Sequence, residues 1–122
     1  MSLQKKKPFR SEKYLKWIRS TPCMVCGTDQ GIQPHHLIGH GTKGGSLKSD
    51  DRLVMPLCAK HHHELHHNGH ATFDKKHSRM GDPAQIYFVN LTIGRARLAK
   101  QLDAAQIRQA RGVLSNMSEV ES

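Results

Sequence analysis

Residues 56–70, with the sequence PLCAKHHHELHHNGH, decide the fold of this chain. The run after Cys58 predicts a helix over residues 59–68, because the glycine at position 69 is a typical helix end. Cys58 and His61 stand in a C-x-x-H spacing at the start of that helix. Thiolate and imidazole are ligands that Zn²⁺ prefers in proteins. The stretch therefore predicts that a metal is bound where this helix begins.

A second pair with this spacing, Cys23-x-x-Cys26, lies earlier in the chain. Together with Cys58 and His61 it gives four soft metal ligands. Two such pairs are typical of a closed tetrahedral zinc site, in which no position stays open for a substrate. We therefore expect Cys23, Cys26, Cys58 and His61 to hold a structural zinc ion. Only 36% of the residues are hydrophobic, so a metal cross-link would stabilise a fold that has little apolar material.

Two short apolar segments flank a glycine-rich loop at residues 39–51, GHGTKGGSLKSDD. Residues 36–38 and 53–55 fit the two strands of a hairpin with a long loop. The helix over 59–68 follows the second strand. The order strand, strand, helix predicts an α+β fold with a small ββα core at about residues 23–70.

Helices are predicted on both sides of this core. On the N-terminal side, Ser11 fits the N-cap of a helix that ends before Pro22. The apolar face of this helix is predicted to be Tyr14, Leu15, Trp17 and Ile18. On the C-terminal side, Asp82 and Pro83 fit the N-cap and the first position of another helix. The apolar face of a last helix is predicted to be Leu102, Ile107, Ala110 and Leu114.

The chain is expected to be a single domain with disordered ends. Residues 1–10 read as a flexible basic arm, residues 11–117 as the domain and residues 118–122 as a disordered tail. A formal net charge of +9 favours an anionic partner such as nucleic acid. The arm residues that are candidates to lie along phosphates are Lys5, Lys6 and Lys7.

The apolar runs of the chain are all shorter than the ~18 residues that a membrane span needs. The basic N-terminus is not followed by the apolar run of a secretory signal. Both observations predict a cytoplasmic protein without a membrane partner.

The predicted helix also carries histidines that the zinc site would not use. His62 and His66 are four residues apart and therefore lie on one face of a helix. His63 and His67 form a competing pair with the same spacing. We favour His62 with His66, because His62 directly follows the last zinc ligand, His61. One helix would then serve two metals.

Several motifs together resemble the HNH (ββα-metal) nuclease superfamily. They are PHHLIGHG at residues 34–41, GTKGG at 41–45, an aspartate before the second strand and PLCAKHHHELH at 56–66. Within this superfamily, the chain is similar to the Ref-like recombination-enhancement nucleases of phages, which depend on RecA. The resemblance spans about residues 14–75, and it implies a ββα-metal (His-Me finger) core and hydrolysis of phosphodiester bonds.

The resemblance also implies roles for individual residues. In these enzymes the first strand carries a metal ligand followed by the general base, which would make His35 the ligand and His36 the base. His62 and His66 would complete the site of a catalytic divalent metal. By resemblance this metal is Mg²⁺ or Mn²⁺, although an all-histidine site would also take Zn²⁺.

The middle position of the HNH motif is usually an asparagine that orients the base. In this chain the residue at the middle position is Asp51, with Asp50 as the alternative. The chemistry suits these residue types, because hydrolysis needs a base for the water and a cation for the charge on the phosphate. Imidazole serves as such a base near neutral pH.

DNA is the expected partner. His40 and Lys43 in the loop lie nearest the site in the sequence and would contact the phosphate backbone. Few aromatic or amide side chains stand nearby to read bases, so we expect low sequence specificity. The resemblance further implies action with a RecA filament on recombination intermediates. The oligomeric state stays open.

The main alternative is a non-enzymatic zinc-binding module that docks on nucleic acid or on a protein. Such a module would need the zinc site and the basic surface, but not His35, His36, His62 and His66. A metal-sensing or metal-storage protein is a third interpretation, favoured by the histidine-rich helix alone.

Overall fold

The computed structural model describes residues 8–40 and 50–121. Lys5, Lys6, Lys7 and Lys43 lie outside these ranges. Within them the chain forms a two-stranded antiparallel sheet and five helices, which confirms the predicted α+β class. In chain order the elements are α1 (Glu12–Arg19), β1 (Ile32–His36), β2 (Val54–Cys58), α2 (Ala59–Asn68), α3 (His70–Lys76), α4 (Ala84–Leu98) and α5 (Ala104–Glu121).

The strands of the hairpin differ from those predicted at residues 36–38 and 53–55. Strand β1 ends at His36 and β2 begins at Val54, and these two residues are partners in the antiparallel register. Each predicted strand therefore overlaps the observed one only at its loop end. The prediction of strand bounds was wrong, whereas the hairpin itself is present.

Two prolines explain why the sequence pattern did not predict the bounds of these strands. Pro34 and Pro56 lie inside β1 and β2, where a residue without an N–H donor is disfavoured. The two prolines are partners in the register, so both missing donors fall at one rung of the ladder. Every residue of β2 is buried, and this burial stabilises the strand.

Helix α1 forms as predicted and packs against β1. Its N-cap is Ser11, whose Oγ accepts a hydrogen bond from Tyr14 N at 3.0 Å. Tyr14 and Ile18 are buried, and Leu15 and Trp17 are partly buried against the core. The predicted apolar face is thus the face that packs.

Helix α2 covers the predicted residues and ends at Gly69, which has a φ of 93°. A short helix that the sequence did not predict, α3, follows directly. Its Phe73 is fully buried. A single large apolar residue in the run HATFDKK gives no periodic signal, so the sequence pattern could not reveal this helix.

Helix α4 begins one residue later than predicted. Pro83, expected at the first helical position after an Asp82 cap, itself occupies the N-cap with a ψ of 145°. A side chain from α3 caps the helix instead, because Asp74 Oδ1 accepts the Gln85 N–H at 2.8 Å. A carboxylate at this position also interacts favourably with the helix dipole.

Helix α5 follows, and all residues of the predicted apolar face are buried. The helix continues to Glu121 and so includes most of the residues 118–122 for which a tail is predicted. Residue 122 lies outside the described ranges. Met117 is buried, and no glycine or proline follows Gly112 to stop the helix.

The core lies where the sheet meets the helices. Helix α4 packs against β2 and α5, while α2 packs against both strands and α3. The contact between α2 and β1 brings the histidines of these two elements to one place. No helix in the described ranges is long and apolar enough to cross a membrane.

Replacing Ser11 by Ala removes the Oγ acceptor at the start of α1. We expect the free energy of unfolding, measured by urea denaturation, to fall by about 1 kcal/mol. Ser20→Ala is the control at the other end of the helix, where the exposed Ser20 Oγ donates to Trp17 O. There we expect a change below about 0.5 kcal/mol. Equal losses in the two variants would contradict the assigned cap.

Candidate metal centres

The residues predicted to bind zinc come together from three parts of the fold. Cys23 and Cys26 lie in the turn after α1, Cys58 ends β2 and His61 lies in the first turn of α2. Their ligand atoms all lie within 4.8 Å of one another. Cys58 Sγ lies 3.9 Å from Cys26 Sγ and 3.3 Å from His61 Nδ1, which in turn lies 3.7 Å from Cys23 Sγ.

These distances fit ligands around a single ion. With metal–ligand distances of about 2.3 Å for sulfur and about 2.0 Å for nitrogen, tetrahedral neighbours stand about 3.3–3.8 Å apart. A disulfide would need a sulfur separation of about 2.05 Å, and the cysteines are free thiols. The cluster could therefore hold a metal ion, and its donor set suits zinc.

The backbone favours an ionised sulfur in this cluster. Burial raises the pKa of the Cys23 thiol, but hydrogen bonds from the backbone of Cys26, Cys58 and Val25 outweigh burial, and the pKa lies below its ordinary value. Burial raises the pKa of Cys58. A negative charge on Cys23 is thus favoured, and the thiolate is the form that binds metals.

A second histidine cluster lies between β1 and α2. One ring nitrogen from each of His35, His62 and His66 lies within 4.8 Å of the other two. His62 Nε2 and His66 Nε2 are 3.1 Å apart, and His62 Nδ1 contacts Gln33 Oε1. Burial, and then the nearby His66, lower the pKa of His62, which favours the neutral ring that binds metals.

The competing pair on α2 lies elsewhere. His63 and His67 are exposed and stack on each other with ring centroids 5.3 Å apart. They are not part of either potential metal cluster in the described residues. The pair that meets His35 is the favoured one, His62 with His66.

His35 is the buried member of the second cluster. Its exposed fraction is 2%, and its Nε2 lies 2.8 Å from Gln85 Oε1 on α4. Burial lowers the pKa of His35 to about 4, with a smaller contribution from the neighbouring His62 and His66. The ring is therefore neutral near pH 7.

His36 and Asp51 form a pair at the end of β1. His36 Nε2 lies 2.8 Å from Asp51 Oδ1, and a carboxylate only accepts, so Nε2 carries a proton and Nδ1 is the basic nitrogen. Asp51 is 4% exposed, and its Oδ2 accepts the Ser11 N–H at 2.8 Å. The side chain of His36 is 32% exposed. The pair therefore presents an oriented imidazole to solvent.

The neighbouring Asp50 has a different role. Its Oδ2 lies 2.7 Å from Arg52 Nη2 and accepts the Phe9 N–H at 3.1 Å. Burial alone would raise the pKa of Asp50, but the hydrogen bonds from Arg52 and Phe9 outweigh it and lower the pKa. Of the two aspartates considered from the sequence, Asp51 is the one that contacts His36.

The side chain of His40 is buried in the structure. Its side chain is 6% exposed, and its Nε2 lies 2.6 Å from Asp74 Oδ2. A buried carboxylate needs donors, and His40 supplies one from within the fold. The role of His40 in binding phosphates stays a prediction, and its burial against Asp74 does not favour it. Lys43, the other loop residue of that prediction, lies outside the described ranges.

Two buried polar residues near the histidine cluster were not predicted from the sequence. Gln85 contacts the His35 ring, and Asp74 contacts both Gln85 and His40. The polar Gln85 interrupts the apolar run AQIYFV, which is a signal that could have marked it. Asp74 lies in the unpredicted α3 and has no comparable signal.

Comparison with known proteins relates the chain to proteins without an assigned function. Residues 1–96 match the family described as "Protein of unknown function (DUF968)". The chain is 45% identical over 80 residues to "Uncharacterized protein YdfU" from Escherichia coli (strain K12). This alignment covers 66% of the chain but only 23% of the relative's own length. No solved structure matches the chain.

The low pKa of His35, about 4 against an ordinary value of 6.5, predicts a pH-dependent stability. Between these two values the unfolded chain binds a proton that the folded chain excludes. The stability that His35 contributes is therefore present above pH ~6.5 and is lost as the pH falls to ~4, by about 3 kcal/mol in total.

Urea unfolding across this pH range, without added divalent metal, measures the effect. His35→Asn should lack this part of the pH dependence, whereas His67→Asn, at an exposed position, should retain it. The same pH dependence in wild type and His35→Asn would contradict the burial argument.

Proposed function

The chain belongs to the DUF968 family, whose function is unknown, and from its side-chain geometry we propose that it is a metal-dependent DNA endonuclease of the HNH (ββα-metal) type. One observation carries the proposal: His35 of the cluster with His62 and His66 is followed directly on β1 by His36, which is hydrogen-bonded to Asp51. A cation site next to an oriented base is the arrangement that phosphodiester hydrolysis needs.

The Cys/His cluster serves this enzyme as a structural zinc site. Cys23, Cys26, Cys58 and His61 supply a full tetrahedral ligand set, so no position remains for a substrate. The ion would join the turn after α1 to the junction of β2 and α2. This cross-link supports a fold with little apolar material, and catalysis uses other residues.

The catalytic metal would be held by His35, His62 and His66. A site with three protein ligands leaves positions for water and for a phosphate oxygen. The resemblance to HNH nucleases favours Mg²⁺ or Mn²⁺, and imidazole donors also suit Zn²⁺. When bound, such a cation stabilises negative charge on the phosphate and on the leaving oxygen.

His36 acts as the general base. Its Nδ1 takes a proton from water, and the resulting hydroxide attacks phosphorus while the sugar oxygen leaves. Asp51 accepts from Nε2 at 2.8 Å and stabilises the positive charge that the ring gains. The Ser11 N–H holds the other oxygen of Asp51, so the base keeps one orientation.

DNA is the substrate that fits the charge of the chain. The formal net charge is +9. Lysine and arginine side chains that contact phosphates bind DNA without reading its sequence. Lys60 lies exposed in the first turn of α2, close in sequence to His61 and His62. The resemblance to Ref-like nucleases adds a RecA filament as a partner and recombination intermediates as targets.

Cys58→Ala tests the zinc site. Loss of one of the zinc ligands should release zinc and unfold the domain, because binding of a structural zinc is coupled to folding. Zinc content by mass spectrometry and circular dichroism measure both effects. Val54→Ala in the same strand is the control, which should lose packing but keep zinc. A stable, fully zinc-loaded Cys58→Ala protein would contradict the structural site.

Substitution of the base tests the enzymatic proposal. The assay follows cleavage of single-stranded, duplex and D-loop DNA with Mg²⁺ or Mn²⁺, with and without RecA and ATP. His36→Ala should stay folded and zinc-bound while its cleavage rate falls by about 10²–10⁴-fold. Asp51→Asn should also cleave slowly. The amide oxygen of the new side chain can still accept the Ser11 N–H, which leaves the NH₂ group facing His36 Nε2. The ring would then carry its proton on Nδ1, which could no longer act as the base.

The exposed histidines of α2 provide matched controls for the metal ligands. His62→Ala and His66→Ala should abolish cleavage, whereas His63→Ala and His67→Ala should leave it within about twofold of wild type, as expected for surface positions. DNA binding without cleavage under every condition would refute the nuclease and favour the non-enzymatic zinc-binding module.

A further inference from the structure

A buried glutamine from outside the ββα core contacts the histidine cluster. Gln85, in the first turn of α4, is fully buried. Its Oε1 lies 2.8 Å from His35 Nε2 and accepts the Ile38 N–H at 3.0 Å. Its Nε2 donates to Ile38 O at 3.0 Å and to Asp74 Oδ2 at 3.0 Å. Each polar atom of this side chain therefore has a partner.

These partners fix which way the amide of Gln85 points. A backbone carbonyl and a carboxylate only accept, so Ile38 O and Asp74 must face the NH₂ group. The Ile38 N–H only donates, so it must face the oxygen. The same oxygen faces His35, and the ring can only donate to it. His35 therefore carries its proton on Nε2 and has a free electron pair on Nδ1.

We propose that Gln85 is a positioning residue that holds His35 as the Nε2–H tautomer, so that Nδ1 is free to bind the divalent metal with His62 and His66. This inference rests on the proposed function in taking the three histidines as a metal site. Metal-binding histidines commonly donate their other ring N–H to an acceptor in this way. Here the acceptor comes from a flanking helix.

Asp74 keeps Gln85 in this orientation. It is 5% exposed, and its Oδ1 accepts the Gln85 backbone N–H at 2.8 Å. Its Oδ2 accepts from the Gln85 side chain at 3.0 Å and lies 2.6 Å from His40 Nε2. One carboxylate thus holds both the backbone and the amide of Gln85, which excludes the flipped amide that would present NH₂ to His35.

The tautomer of His35 can be measured directly in the wild-type protein. Two-bond ¹⁵N–¹H correlation spectra of the zinc-loaded protein distinguish Nε2–H from Nδ1–H histidines, and His35→Asn assigns the His35 signals by their loss. We expect the Nε2–H tautomer before and after Mg²⁺ is added. An Nδ1–H tautomer would overturn the inference, and this readout needs no variant of Gln85 to fold.

Variants of Gln85 test its effect on metal binding. Titration of zinc-loaded Gln85→Leu with Mn²⁺ should show an affinity about 10–100-fold below wild type. Thr92→Val is the matched control, because Thr92 is a buried polar residue of the same helix that donates to Phe88 O. Wild-type affinity in folded Gln85→Leu would overturn the inference.

Neither readout depends on DNA cleavage, so the two proposals fail separately. A protein with the expected tautomer and Mn²⁺ affinities that cuts no DNA would refute the nuclease and support the role of Gln85. A protein that cuts DNA but carries His35 as the Nδ1–H tautomer would refute the role of Gln85 alone.

Discussion

Strand β2 runs directly into helix α2 at Cys58, and the rest of the structure depends on this junction. Cys58 is both the last residue of β2 and the N-cap of α2, and its Sγ lies 3.3 Å from His61 Nδ1 one turn later. The junction sets the direction of α2 against the sheet, and α2 then brings His62 and His66 to His35 on β1. In our proposal, zinc at the junction takes the place of the apolar packing that the chain lacks.

The flanking helices do more than cover the core. The N-cap of α1 supplies the Ser11 N–H that holds Asp51, and Asp51 holds His36. The first turn of α4 supplies Gln85, which contacts the ring of His35. Both histidines of β1 are therefore oriented by groups far away in the sequence. Buried hydrogen bonds of this kind give an active site the fixed geometry that catalysis requires.

Local patterns account for what could be predicted from the sequence. The paired Cys/His spacings and the separation of His62 and His66 follow from the geometry of one turn or one helix, and both clusters assemble accordingly. The contacts of His40 and Gln85 depend instead on residues brought together only by the fold. Their roles could not be predicted, because no local pattern marks a partner such as Asp74 on an unpredicted helix. The predicted strand bounds were displaced toward the loop because Pro34 and Pro56 lie inside the strands and proline weakens the sequence signal of a strand.

In our proposal helix α2 serves two metals, a structural zinc and a catalytic divalent cation. Anomalous diffraction at the zinc and manganese absorption edges, from crystals of the zinc-loaded protein soaked in Mn²⁺, tests it most directly. We expect a zinc peak among Cys23, Cys26, Cys58 and His61, and a separate manganese peak among His35, His62 and His66. A zinc peak in the first cluster with no metal peak at the three histidines under saturating Mn²⁺ would contradict it.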